Sequence, residues 1–266
     1  MARYQVVLAY DGTQFFGFQR QVNERTVQAV VEAALEELGW AGGAILAAGR
    51  TDTGVHASGQ VIAFDLDWAH APGELLRAMN AQLPADVAVR AVSPVRDDFH
   101  PRFSAAGRRY RYRLFCDEVR HPLRERYAWR VWPAVRLADL QQAAADLPGT
   151  RDYAAFGSPP RPGGSTVRTV TRAVWSQDGP DLVFEVEANA FLYHMIRRMV
   201  LLQVEFAQDR LEGRRVAGFL TGQAGASVQG LAPPNGLTLV EVIYPPELAG
   251  ERNNLKFEEI ENDEPG

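Results

Sequence analysis

The chain has 266 residues, 46% apolar and 23% charged, the balance of a globular protein able to bury a large core as one big domain or two ordinary ones. No apolar run approaches a membrane span and the first residues read as a strand rather than a secretion signal. Cys116 stands alone, which excludes a disulfide framework and a cysteine-based zinc site, so the cytoplasm is the expected compartment. The net charge of −5 is uneven: residues 250–266 hold six acids against two basic residues, whereas residues 102–130 hold nine arginines against three acids, a face suited to phosphates.

Residues 3–10 alternate as a strand and end in the turn Asp11-Gly12-Thr13. FFGFQRQ, residues 15–21, is a loop with aromatics beside an arginine and glutamines. Thr26 is placed to cap a helix running to Leu38, with Val27, Val31, Leu35 and Leu38 at helical spacing and Gly39 at its stop. Strands are expected at 44–48 and 60–65, a helix at 72–83, and a strand within 84–94. A second unit starts near Arg108, where RRYRYRLF alternates basic with apolar or aromatic residues. There follow a helix at 137–147, a loop at 157–166, and a hairpin of 169–175 and 182–188 across Asp178-Gly179. Helices at 194–206 and 212–220 and a strand at 237–244 complete the pattern. Each half combines antiparallel-type strands with two main helices, an α+β class. Residues 247–266 are polar and acidic, with the composition of a disordered tail.

Four segments carry candidate chemistry. In GRTDTGVHA, residues 49–57, Asp52 follows Arg50 and is bracketed by Gly49 and Gly54, which let the backbone turn tightly and approach a ligand. Such a loop between strands is a common place for a catalytic carboxylate, and the arginine can bond a carboxylate or a phosphate. The same residues also fit an Asp-Thr-Gly turn whose carboxylate caps its own backbone. In RFSAAGRRYRYR, residues 102–113, Tyr110 and Tyr112 share one strand face and Arg109, Arg111 and Arg113 the other. A tyrosine in a basic groove can stack on an extruded base, or it can be an ordinary core aromatic, the better reading for Tyr112.

In NAFLYHMIRRM, residues 189–199, Arg197 lies one helical turn beyond His194, where an arginine pair is usually solvent-facing. Leu237, in LAPPNGLTLVEVIYP, is by spacing alone a strand leucine. The five histidines are scattered without metal-ligand spacing, and there is no P-loop or dinucleotide fingerprint. A glycosidase needs two carboxylates, and Asp65 and Asp67 read as strand-end residues. The inventory fits chemistry with one carboxylate, no metal and no cofactor.

Taken together, these four segments resemble the tRNA pseudouridine synthase A family over residues 3–245. The resemblance implies two ferredoxin-like domains, 1–105 and 106–246, with largely antiparallel sheets joined around a central active-site cleft. It implies Asp52 as nucleophile, Arg197 as the partner that aims it, Tyr110 as the ring stacked on the target base, and Leu237 as the apolar residue beneath that base. Arg50 is expected to hold the flipped-out base. The implied substrate is tRNA, at uridines 38, 39 and 40 of the anticodon stem-loop, and the implied assembly is a homodimer. Phosphate contacts are expected from Arg20, Arg102, Arg109 and Arg111, with loop 15–21 against the tRNA. Thr53 and Thr238 stand where alanine and tyrosine are frequent in the family. Two other classes compete. A silent RNA-binding module leaves the Gly-bracketed Asp52 unexplained, and a nucleoside glycosidase lacks its second acid.

Overall fold

The computed structural model describes residues 1–211, 215–220 and 227–248. Its strands are β1 (Ala2–Tyr10), β2 (Leu46–Ala47), β3 (His56–Leu66), β4 (Val87–Val95), β5 (Gly107–Cys116), β6 (Trp129–Val131), β7 (Gly149–Asp152), β8 (Val167–Asp178), β9 (Asp181–Ala188) and β10 (Leu237–Ile243). The helices are α1 (Val27–Glu36), α2 (Pro72–Gln82), α3 (Leu137–Ala144) and α4 (Met195–Ala207).

All ten strands join one sheet in the order β4-β1-β3-β10-β5-β9-β8-β7, with β2 on β3 and β6 on β5. The pairing is antiparallel except for β10 with β3 and β6 with β5. Strand alternation sorts the side chains by face. The cross-strand pairs Tyr4/Phe64 and Val6/Ile62 are buried, while Arg3/Asp65, on the other face, form an ion pair at 2.7 Å. Within the sheet the two sequence halves are joined by the parallel β3–β10 ladder, which pairs Thr238 with His56 and Leu239 with Ala57. Gly59 permits this seam, since a Cβ there would stand 2.0 Å from the Val240 carbonyl oxygen.

The helices follow their sequence signals. The Thr26 hydroxyl accepts from the Ala29 amide at 3.4 Å, capping α1, whose Val27, Val31 and Leu35 enter the core. In α2 the Glu74 carboxylate accepts from the Ala71 amide at 3.1 Å, and Leu75 and Met79 are fully buried. The Asn80 carboxamide then ties α2 to β4 by exchanging two hydrogen bonds with the Val89 backbone, at 2.8 and 2.9 Å. α3 and α4 pack on each other, and the buried Trp175 Nε1 donates to the side-chain Oε1 of Gln203, also buried, at 2.7 Å.

Several boundaries differ from the sequence pattern. The strand expected at 44–48 shortens to β2, and β6 and β7 are additional. Of the helix expected at 212–220, residues 212–214 lie outside the described residues, and Val216–Leu220 is a 3₁₀ segment. The acidic tail beyond residue 248 also lies outside the described residues.

Candidate active site

Residues 48–55 link β2 to β3 and are pinned along their length. Gln60 donates to the Gly49 carbonyl at 3.0 Å, and the Tyr10 and Thr51 hydroxyls bond at 2.8 Å. The Thr51 carbonyl accepts from the Phe18 amide at 3.1 Å, and the Gly54 amide donates to the Phe15 carbonyl at 3.3 Å. This contact between loops needs Gly17, at φ +85°, where a Cβ would lie 2.9 Å from the Thr51 carbonyl oxygen. A turn does form here, but the Asp52 carbonyl closes it, accepting from the Val55 amide at 3.1 Å. The carboxylate does not cap its own backbone, and instead meets residues more than 140 positions away.

Those residues come from the start of α4. Arg197 Nη1 stands 3.3 Å from Asp52 Oδ2, and its Nε donates to the Ala232 carbonyl at 2.7 Å. His194, in a left-handed conformation before the first turn, brings Nε2 to 3.4 Å from the same carboxylate oxygen. Burial pushes the His194 pKa down, against the opposing pull of Asp52.

Tyr110 and Leu237 line the same cavity as Asp52, which has a volume of about 1170 Å³. Tyr110 meets Phe191 edge-on at 5.2 Å, and burial pushes its phenol pKa well up. Its hydroxyl makes no hydrogen bond to a described residue. Tyr112 behaves as a core residue, fully buried with its hydroxyl donating to the Pro233 carbonyl at 2.8 Å. Arg50 also lines the cavity, exposed and without an ion pair to any described residue.

The expected phosphate-binding arginines separate. Arg102 lines the cavity. Arg20 lies outside that lining, bonded to the buried Glu32 carboxylate at 2.9 Å and to the Gly43 carbonyl at 3.3 Å. Arg109 and Arg111 sit on the face of β5 opposite Tyr110, where strand pairing sets acids beside them. Arg109 pairs with Glu187 at 2.9 Å and Glu241 at 3.0 Å, and Arg111 with Glu185 at 2.9 Å. The alternation that makes Tyr110 face the cavity therefore turns these two arginines away from it.

Two histidines inside the sequence motifs escaped assignment. His194 joins the carboxylate cluster, as described above. His56, buried at the start of β3, accepts from the Gly12 amide at 3.0 Å and lies 3.2 Å from the Asn235 carbonyl, bracing the end of the Asp52 loop against the entry to β10. Among the described residues no helix is long and apolar enough to cross a membrane, and no group of three or more His, Cys, Asp or Glu is arranged to hold a metal ion.

Comparison with known proteins identifies the family of the chain. A family model described as tRNA pseudouridine synthase matches residues 6–104 and 143–245. The tRNA pseudouridine synthase A of Myxococcus xanthus is 39% identical over 245 residues, covering 92% of this chain and 92% of the relative. That of Geobacter sulfurreducens is 38% identical over 244 residues, covering 92% and 100%, and that of Leuconostoc citreum 37% over 254 residues, covering 92% and 98%. With more than half its length matched by the family model and relatives above 30% identity along nearly their whole lengths, the chain belongs to the tRNA pseudouridine synthase family.

Proposed function

We propose that the chain isomerises uridine to pseudouridine at positions 38, 39 and 40 of the tRNA anticodon stem-loop. The N1–C1′ bond breaks, the base turns, and C5 bonds to C1′. The observation that carries this reading is the convergence of Asp52, Arg197, Tyr110 and Leu237, from four separate segments, on one cavity.

Asp52 is the nucleophile, a carboxylate that can bond to an electron-poor carbon and leave again. Arg197 aims the carboxylate from 3.3 Å. Tyr110 stacks on the target base and Leu237 packs beneath it. Extracting the base from its helix costs a few kcal/mol, and Arg50, exposed and without an ion pair to any described residue, holds the flipped-out state. Arg102 takes phosphates, whereas Arg20 is already held by the Glu32 carboxylate outside the cavity. Arg109 and Arg111 are left out of that grip, because acids on the far sheet face already neutralise them. Neither metal nor cofactor is assigned.

The two halves, 1–105 and 106–246, are read as ferredoxin-like units that share one sheet. The polar sheet face sets Arg109, Arg111 and Arg172 beside Glu185, Glu187 and Glu241. These charges satisfy one another within the chain, and the homodimer is carried over from the family resemblance. The compartment is the cytoplasm, where tRNA substrates reside.

The test is tritium release from tRNA carrying [5-³H]uridine in the anticodon arm, because the new C5–C1′ bond expels the C5 hydrogen. Wild type should release tritium, and Asp52→Ala should bind tRNA without release. Free uracil would identify a glycosidase, and tight binding without release by either protein would leave an RNA-binding protein.

A further inference from the structure

The cavity around Asp52 is larger than one nucleobase requires. Its volume of about 1170 Å³ exceeds the roughly 300–1,000 Å³ usual for a small-ligand site. Among the described residues five large aromatics are exposed: Phe16 (50%), Phe103 (77%), Tyr127, Trp132 and Tyr193 (58%). Three of the five, Phe16, Phe103 and Tyr193, line this one cavity. Single exposed aromatics are ordinary on a protein surface, but clustering around a site marks a binding surface.

Each of the three is displayed on pinned backbone. The Phe16 amide donates to the Arg25 carbonyl at 2.9 Å, and its carbonyl accepts from the Gln21 side chain at 2.7 Å. Its neighbours Phe15 and Phe18 are buried and anchor the loop against Thr51 and Gly54, so only the middle ring of FFGF faces out. Phe103 lies in the turn closed by the Ser104 amide and the His100 carbonyl at 2.9 Å, with its ring 4.3 Å from the His100 ring. Arg108 bridges that turn to the Asp52 loop, donating to the Arg102 and Ala48 carbonyls, both at 2.9 Å. The Tyr193 amide donates to the Ser158 carbonyl at 3.0 Å, and its ring stacks at 3.6 Å on His194, itself beside Asp52.

The same cavity is lined by two guanidinium groups, Arg50 and Arg102, that have no ion pair among the described residues. Flat apolar faces beside unneutralised cations suit unpaired nucleotides, whose bases stack while their phosphates meet the arginines. A preformed platform loses little conformational freedom on binding.

We propose that Phe16, Phe103 and Tyr193 form a second subsite, which takes the bases flanking the target after they unstack from the RNA strand, with Arg102 on their phosphates and Arg50 beside them holding the flipped-out target. The inference rests on the isomerase reading above and extends it from one extruded base to its neighbours.

The experiment is a perturbation cycle on full-length tRNA with an abasic nucleotide placed on the 5′ or the 3′ side of the target uridine. kcat/KM is measured for wild type, Phe16→Ala, Phe103→Ala and Tyr193→Ala, with Phe→Leu and Tyr→Leu variants as versions that keep apolar bulk without a stacking face. Each single change should lower kcat/KM by about 5- to 150-fold. For a ring and the base it stacks on, the combined change should cost little more than either alone. Losses that multiply for every ring at both neighbouring positions overturn the subsite. Wild-type turnover of intact tRNA is read separately, and its absence defeats the isomerase reading itself.

Discussion

Arg197 holds Asp52 while being held itself: its Nη1 lies 3.3 Å from Asp52 Oδ2, and its Nε is committed to the Ala232 carbonyl at 2.7 Å. Ala232 begins the segment that enters β10 and carries Leu237. One planar guanidinium thus relates the carboxylate to the strand bearing the apolar residue assigned beneath the base. His194 meets the same oxygen at 3.4 Å, leaving Oδ1 without a partner among the described residues.

This geometry makes Arg197→Lys a severe change despite its retained charge. An ammonium is a point charge on a flexible stem and cannot span both acceptors in the plane that the guanidinium uses. kcat should fall by about 100-fold, the usual cost of misplacing a reacting group by an ångström. Affinity for tRNA should stay close to that of wild type. Single-turnover tritium release and filter binding separate the two, and wild-type turnover by the lysine variant would show that charge alone suffices.

Tyr110 is expected to act through its ring. Its hydroxyl has no hydrogen-bond partner among the described residues, and burial raises the phenol pKa above its ordinary value. Tyr110→Phe should therefore retain most activity, whereas Tyr110→Ala should lose about 1–3 kcal/mol of base stacking. Comparing kcat/KM for the two variants checks this. A phenylalanine variant as poor as the alanine would assign the work to the hydroxyl.

His194 should shape the acid side of the pH profile. Burial lowers its pKa from the usual 6.5, Asp52 pulls it back up, and Arg197 and Arg198 press it down, with the Tyr193 ring stacked on its face. Below that pKa the imidazolium places a second cation against Asp52 Oδ2 and weakens the carboxylate as a nucleophile. Wild-type kcat/KM should thus fall on acidification below pH 6.5, while His194→Asn should show no such limb until far lower pH. An unchanged limb in the variant would trace it to another group.

Much of this was legible from local pattern. The helical spacing of Val27, Val31 and Leu35, the alternation of β5 and the Asp178-Gly179 turn each act within a few residues, so their elements follow directly. The candidate site was legible only as separate motifs. Asp52 meets Arg197 of α4 across 145 positions, and the β3–β10 ladder that joins the two halves has only two paired positions, so neither leaves a periodic signature. Arg109 and Arg111 looked like free cations because their acids, Glu187 and Glu185, lie more than 70 residues further on. His194 looked unremarkable for the same reason, since its partner precedes it by 142 positions (194 minus 52).

Asp11 gives a stability prediction independent of catalysis. Its carboxylate accepts from the Thr13 amide and hydroxyl, from Arg126 at 2.8 Å and from the Tyr127 hydroxyl at 2.9 Å, tying the end of β1 to residues 126–127. Burial opposes ionisation here, but these hydrogen bonds outweigh it and hold the carboxyl well below its ordinary value of 3.8. A group with a depressed folded-state pKa contributes fully above its unfolded value, and loses that contribution as pH falls through the folded one. Asp11→Asn should therefore cost about 1.5–3 kcal/mol at neutral pH, the usual worth of hydrogen bonds to a charged group. Urea denaturation of both proteins should show that gap constant from pH 8 to about 5 and closing below about pH 4. A gap that widened on acidification would mean that the folded protein raises this pKa, and the hydrogen bonds would then not be the source of the stability.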